Sequence, residues 1–343
     1  MEQQILSVSI LFSFVLFLHV LLKISKKLYK HDSNPPPGPW KLPFLGNILQ
    51  LTGDDPHHRF AELARTYGPV MGIQLGEIPF LVVSSPEAAK EVLKIQDPIF
   101  AERALILAND VVNYNRNGMV FASYGYQWRQ LRKFCTLALL SAKRVQSFQS
   151  IREEEMADFI KLLRSKEGSS VNLTHTLFTV TNSIIARNAI GHKSKNQETL
   201  LRCIDGIIFT LGFNIADVFP SLKWLPSVKR EESRVLKLHH ETDKILEDIL
   251  QEHKANKQAW VSEDGDGRKA DNFVDVLLDL QQSGNLDFPL TDVTIKASTI
   301  DVFVGGSDTS SKTTEWAMAE LMRKPEIMKK AQEELRSVFV KAL

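Results

Sequence analysis

Ile300-Asp301-Val302-Phe303-Val304-Gly305-Gly306-Ser307-Asp308-Thr309-Ser310 sits in the middle of a helical pattern that runs over residues 291–324. Ile295, Thr299, Val302, Gly306, Trp316, Ala319 and Met322 follow one another in helical phase. At ~1.5 Å per residue the helix would be about 50 Å long, enough to cross a domain. Its centre is unusual, because each of two adjacent glycines costs about 1 kcal/mol relative to alanine. An acid and two hydroxyls follow at once. One reading breaks the helix at Gly305-Gly306 and caps a new one with Ser307 or Asp308. The other keeps one helix whose glycines let a flat ligand approach the backbone. Thr309 then bonds back to the Gly305 carbonyl, loosening the ladder and admitting water. Asp308 and Thr309 would handle protons beside that ligand. Composition alone favours the break.

The surrounding 343 residues suit one large domain or two ordinary ones. A net charge of +1 gives no electrostatic case for nucleic acid. Two cysteines without framework spacing point to a reducing compartment. Residues 5–22 carry no charge and span about 27 Å, close to the ~30 Å of a hydrocarbon core. Lys23, Lys26, Lys27 and Lys30 follow, so the expected topology is an uncleaved single-pass anchor over residues 1–30 with the rest facing the cytosol. Residues 31–42, with Pro35-Pro36-Pro37-Gly38-Pro39, read as a stiff hinge. The remaining domain, 43–343, reads as mainly α with a small β-sheet.

Within it, residues 55–67 form a short helical pattern, and 70–75 and 80–83 two strands around Gly76-Glu77-Ile78-Pro79. Ser85-Pro86-Glu87 opens another helix. Residues 97–123 read mostly as loop. Helical patterns continue at 125–140, 151–163, 173–190, 199–211 and 231–253, interrupted by an apolar, proline-containing stretch at 219–226 that either dips into a membrane or packs on the domain. Residues 262–272 are an acidic, glycine-containing loop. On the 125–140 helix Trp128 and Arg132 share a face, with Arg129 and Lys133 on the neighbouring stripe. An indole beside a guanidinium suits a flat anion, although a solvated basic face with one buried tryptophan is the commoner meaning of such a pattern.

Several motifs fail on inspection. Gly265-Asp266-Gly267-Arg268-Lys269-Ala270 has the form of a dinucleotide fingerprint, but no strand precedes it and its acids repel a pyrophosphate. Asn172-Leu173-Thr174 is a glycosylation sequon in a domain expected to face the cytosol. The nine histidines show no metal-binding spacing. There is no Gly-x-Ser-x-Gly elbow.

Taken in order, the anchor, Pro35-Pro36-Pro37-Gly38-Pro39, Trp128-Arg129-Gln130-Leu131-Arg132-Lys133 and Gly305-Gly306-Ser307-Asp308-Thr309-Ser310 resemble the plant microsomal cytochrome P-450 monooxygenases. The resemblance is closest to their terpenoid-hydroxylating group, and it extends from Met1 to about Phe339. It implies a cytochrome P-450 fold and a haem cofactor. It also implies electrons from NADPH through a flavin reductase (NADPH–cytochrome P-450 reductase), a small hydrophobic substrate and the endoplasmic-reticulum membrane. On that resemblance Gly305 and Gly306 line the oxygen-binding groove at the haem, while Asp308 and Thr309 relay protons to dioxygen. Trp128 and Arg132 hold a haem propionate. Substrate would meet Val304, Gly305 and the regions around 105–120 and 209–218. Arg129, Lys133 and Lys143 would belong to the reductase-docking face.

The family's Glu-x-x-Arg helix and its Phe-x-x-Gly-x-Arg-x-Cys-x-Gly loop, which carries the iron-ligating cysteine, are not found in these residues. Glu333-Glu334-Leu335-Arg336 falls too soon after the central helix and reads as i,i+3 pairing on a helix starting at Pro325. Cys135 follows Arg132 and Lys133, which would lower its pKa, but it and Cys203 read as small buried apolar residues. The metal ligand is therefore absent from this chain. The expectation is a truncated product lacking the family's C-terminal third, poorly stable and inactive by itself. The alternative is a non-catalytic, membrane-anchored interaction protein that binds the reductase or a full-length partner. A lipid-binding helical module ranks third.

Overall fold

The glycine-containing helix is unbroken. In the computed structural model, Asp292–Arg323 is one α-helix through both glycines. Thr291 caps it by accepting the Thr294 N–H at 3.2 Å, Asp292 stands in its first turn and Arg323 in its last. Lys324 leaves the helical region (φ −124°, ψ 80°) because the residue before Pro325 is sterically pushed out of it.

The structure describes residues 13–20, 35–53, 55–104, 106–212, 214–263, 272–284 and 289–342. These fall into two units, Met1–Glu91 and Val92–Leu343. In the first, residues 13–20 are helical and expose Phe14, Val15, Phe17 and Leu18. The rest of the expected anchor and its lysines lie outside the described residues. Helix α1 (Pro56–Tyr67) leads into an antiparallel hairpin of β1 (Val70–Leu75) and β2 (Ile78–Val83). Leu75 pairs with Ile78 across a two-residue turn, and Gly76 supplies the positive φ of 59° that such a turn requires. The second strand thus starts two residues before the expected Phe80. The proline-rich segment is more than a spacer, since the Gly72 N–H donates to the Pro37 carbonyl at 2.9 Å.

The second unit contains α2 (Leu107–Val112), α3 (Tyr126–Cys135), α4 (Gln149–Ser165), α5 (Leu173–Ile190), α6 (Gln197–Thr210), α7 (Pro226–Glu263), α8 (Phe273–Ser283), α9 (Asp292–Arg323) and α10 (Pro325–Ala342). Expected helices recur at α3 to α7, and α10 begins at Pro325 as expected. Asn172 of the sequon caps α5 by accepting the His175 N–H at 3.0 Å. The 97–123 region is mostly loop, as expected, with two short helical pieces in it. It holds α2, a short helix at Asp97–Phe100 and a turn in which Tyr114, Asn115 and Arg116 all have positive φ. Helix α7 starts at Pro226, so the apolar stretch before it is only a short connection, with Trp224 66% exposed.

Helix α8 was not distinguished in the sequence, yet Phe273, Val274, Leu277 and Leu278 are central to the core. They pack with Leu200, Ile204 and Ile207 of α6, Leu246 and Leu250 of α7, and Ile295, Ile300 and Phe303 of α9. Among the described residues one stretch, Gln197–Val218, is long and apolar enough to cross a membrane. Its Leu200, Cys203, Ile204 and Ile207 are core residues.

Candidate functional site

Helix α9 is largely buried from Thr294 to Phe303, and beyond that it opens except along the side that carries Ser307 and Ser311. The glycine pair divides between these two settings. A Cβ added to Gly305 meets nothing within 4 Å, so its backbone faces open space. A Cβ on Gly306 would lie 2.4 Å from Ile185 Cδ1 of α5. Gly305 and Gly306, expected to line one groove, diverge: Gly305 faces open space, whereas Gly306, about 100° round the helix, packs against Ile185 of α5. Below it, Asn182 Nδ2 donates to Ser307 Oγ at 3.2 Å and the Thr181 hydroxyl donates to the Ser307 carbonyl at 2.9 Å. Ser307 caps nothing and is fully buried.

Thr309 does what the one-helix reading requires. Its hydroxyl donates to the Gly305 carbonyl at 2.8 Å, on the open side of the helix. Asp308 is its sequence neighbour but points about 100° round the helix. It lines a cleft of about 700 Å³ with His175 and Phe178 of α5, Arg202 and Asp205 of α6, and Lys312. The two residues expected to handle protons therefore stand on different aspects of α9, one toward the groove and one toward a wide polar cleft.

On α3, the Arg132 guanidinium lies 5.2 Å from the centre of the Trp128 ring. Arg132 is exposed and has no carboxylate partner among the described residues. Arg129, Lys133 and Lys143 are likewise exposed and form no ion pair among them. The opposite side of α3 buries Leu131 and Cys135. Burial, reinforced by the charge of Asp301, pushes the Cys135 thiol up to about 12. The flanking Arg132 and Lys133 do not lower it as their proximity in sequence implied, because they point outward. Cys203 is fully buried, and burial raises its pKa too. Neither offers a thiolate.

Three of the expected substrate segments meet at one small pocket. Asn109, Val112, Asn113, Phe121, Leu211, Ile300, Asp301 and Val304 line it, and it holds only about 20 Å³. Leu105 lies outside the described residues, as does residue 213.

Asp301 is the functional candidate that sequence reasoning missed, although it sits in the deciding stretch. Only 7% exposed, it accepts from Asn113 Nδ2 at 2.6 Å and from the Val120 N–H at 2.9 Å. Burial raises its pKa to about 7, and the amide donors of Val120, Asn113 and Met119 offset that only in part. The available signal was an acid in the apolar run Ile300–Phe303 together with Asn113-Tyr114-Asn115-Arg116-Asn117-Gly118, rich in residues that tolerate positive φ. Each left-handed non-glycine residue costs on the order of 1–3 kcal/mol and persists only when its surroundings over-determine it. Here they do. The Tyr114 hydroxyl donates to Asp243 Oδ1 at 2.7 Å, and Arg116 pairs with Asp110 at 3.0 Å. Lys296 joins Asp243 at 2.5 Å and Glu247 at 3.0 Å. Burial works to lower the Lys296 pKa, but hydrogen bonds to those two acids outweigh it and leave it raised.

Comparison with known proteins follows the same residues. The family model described as Cytochrome P450 matches residues 35–342. Cytochrome P450 726A27 of Euphorbia lathyris is 55% identical over 99% of this chain and 67% of its own length. Premnaspirodiene oxygenase of Hyoscyamus muticus is 44% identical over 98% of this chain and 66% of its own. Salviol synthase of Salvia pomifera is 41% identical over 99% and 67%. The chain thus spans about two thirds of the length of these relatives.

Proposed function

Because this chain belongs to the cytochrome P450 family, we propose that it is the N-terminal part of a haem monooxygenase. The proposed enzyme inserts one oxygen atom of dioxygen into a small, hydrophobic, terpenoid-like substrate. Premnaspirodiene oxygenase and salviol synthase, by their names, support that substrate class. The observation that carries the reading is the unbroken α9 with Gly305 facing open space and the Thr309 hydroxyl closed onto its carbonyl.

Bound haem supplies dioxygen activation, with electrons delivered from NADPH by a flavin reductase. Gly305, lacking a side chain, admits the flat ring against the helix backbone. Arg132, held in place by Trp128, has its guanidinium free to take a carboxylate in two parallel hydrogen bonds. Thr309 holds a hydroxyl proton at Oγ1 beside the groove, and Asp308 reaches the polar cleft from which a replacement proton is drawn. Val112, Phe121, Leu211 and Val304 line an apolar pocket of about 20 Å³ that would have to widen to take such a substrate. Residues 5–22 anchor the protein in the endoplasmic-reticulum membrane with the helical domain in the cytosol.

The residues present fit the groove and the propionate, but they do not fit the iron. Cys135 and Cys203 are buried, protonated thiols, and the family's cysteine loop is not among residues 1–343. These residues alone are therefore catalytically inactive. Purified chain mixed with hemin and reduced under carbon monoxide will show no thiolate-type Soret band, and a clear one would overturn this reading.

A second reading is favoured by the exposed basic stripe of Arg129, Lys133 and Lys143, which form no ion pair among the described residues. It makes the chain a non-catalytic binder of the flavin reductase. Reductase capture that is abolished in Arg129→Glu/Lys133→Glu supports it, and capture indifferent to those changes removes it.

A further inference from the structure

The helix over residues 13–20 has an inside-out surface. Phe14, Val15, Leu16, Phe17, Leu18 and Val20 are exposed, and the one residue partly covered is the polar His19. A helix packed on a protein in water would turn the apolar side inward. Apolar faces outward and a polar residue toward protein is the arrangement that a lipid surround favours. What covers His19 is Phe44. The two rings stack with centres 3.8 Å apart and planes 26° apart. His19 Nε2 is shut off from solvent and has no hydrogen-bond partner among the described residues. Both residues belong to the first unit.

Phe44 stands on a turn built to present it. Its φ of 65° is left-handed, a conformation that a bulky residue keeps only where its surroundings over-determine it. Leu42 and Gly46 exchange backbone hydrogen bonds around it, at 2.8 and 2.9 Å. Gly46, also left-handed, is pressed so closely on β1 that a Cβ there would lie 2.3 Å from the Gln74 carbonyl oxygen. Asn47 locks the end of the turn, accepting the Gln74 N–H at 2.8 Å and donating to the Trp40 carbonyl at 2.9 Å.

We propose that the turn 42–46 is the seat of the membrane anchor: the apolar run docks on Phe44 through His19, so packing as well as the connecting chain holds it to the β1–β2 unit. This rests on the reading of residues 5–22 as an anchor. His19 precedes the first lysine of the basic flank, Lys23, by four residues, about 6 Å along a helix, which puts the seat at the cytosolic edge of the hydrocarbon.

Photo-cross-linking of the full chain in phosphatidylcholine nanodiscs tests the seat. The chain with Phe44→p-benzoylphenylalanine should cross-link to residues 13–20, mapped by mass spectrometry. The same group at Phe17, about 160° round the helix from His19, should cross-link to lipid. His19→Ala added to the position-44 chain should lower the yield of anchor cross-link about 2- to 12-fold, the loss of one stacked ring pair. If the position-44 chain does not fold, His19→p-benzoylphenylalanine makes the reciprocal test and should mark Phe44. Cross-links from position 44 to lipid alone, or a yield indifferent to His19→Ala, overturn the seat. Flotation with vesicles after an alkaline carbonate wash tests the anchor separately. A chain that does not float ends the anchor reading and the seat's membrane role with it, while cross-linking in detergent still decides whether His19 packs on Phe44.

Discussion

Gly305 and Gly306 offer a test in which one substitution, made at adjacent positions, should change stability in opposite directions. In an ordinary helix, Gly→Ala stabilises by about 0.4–1 kcal/mol. Gly305 has negative φ and nothing within 4 Å of the new methyl, so Gly305→Ala should show that gain undiminished. Gly306 has the same helical conformation, but its methyl would enter Ile185, 2.4 Å from Cδ1 and 2.7 Å from Cγ1. Overpacking of that kind costs roughly 1–3 kcal/mol. Against the propensity gain, Gly306→Ala should come out destabilising by about 0–2 kcal/mol. Urea unfolding of both variants supplies the measurement. Shortening the obstructing side chain then isolates the cause: in Ile185→Ala, the added Gly306→Ala should be better tolerated than in the parent, giving a favourable coupling of about 1 kcal/mol in the double-mutant cycle. If the two glycine variants shift the midpoint in the same direction, or the coupling is nil, the close approach of α5 to Gly306 is wrong. The assignment of the open face to Gly305 would then fall as well.

Three further outcomes follow from the same geometry. Asp301 holds its proton up to about pH 7 when folded but only to about pH 4 when unfolded. The native state therefore binds the extra proton between those values, and stability from this residue should fall as pH rises through that window. Asp301→Asn should flatten the slope in pH-dependent denaturation, and an unaltered slope would refute the assignment. Cys135 and Cys203, at 1% and 0% exposure, should both resist a thiol reagent in the native chain and both react in denaturant. Rapid native labelling of either would show that the core is not closed there. Trp224, exposed like Phe209 and Ile215, should shift its fluorescence to the blue with phosphatidylcholine vesicles, and Trp224→Phe should abolish most of the change. A shift that survives the substitution places the membrane contact elsewhere.

What was legible in the sequence was whatever carried its own punctuation. Helix α5 was located to the residue because Asn172 caps its start and Gly191, at φ 78°, ends it. The span of α9 was legible for the same reason, with Thr291 before it and Pro325 after. Even the Thr309–Gly305 bond is a local, four-residue affair that needs no tertiary knowledge. Helix α8 escaped notice although Asn272 caps it and Gly284 closes it. It is short, and it directly follows an acidic, glycine-containing stretch that draws the eye as loop. Other features were beyond reach because their partners are remote. Which glycine faces open space is decided by Ile185 of another helix, and the meaning of Asp301 by an asparagine 188 residues earlier. Likewise, the basic neighbours of Cys135 are adjacent in sequence yet point away from it.

The two-sided fastening of residues 113–120 has a consequence for the order in which the molecule is made. Asn113 leaves the ribosome 188 residues before the carboxylate that holds it, and Tyr114 precedes Asp243 by 129. At about 5–20 residues per second, the loop waits on the order of 10–40 s for α9 to be synthesised. Until then three consecutive left-handed residues have only Asp110 and, once α7 has emerged, Asp243 to hold them, without the Asp301 carboxylate. The hairpin and the α4–α5 pair can close as they emerge, so the wall of the pocket is among the last parts of the domain to take shape. A nascent chain stalled short of Asp301 should carry the helices around that wall without the wall itself.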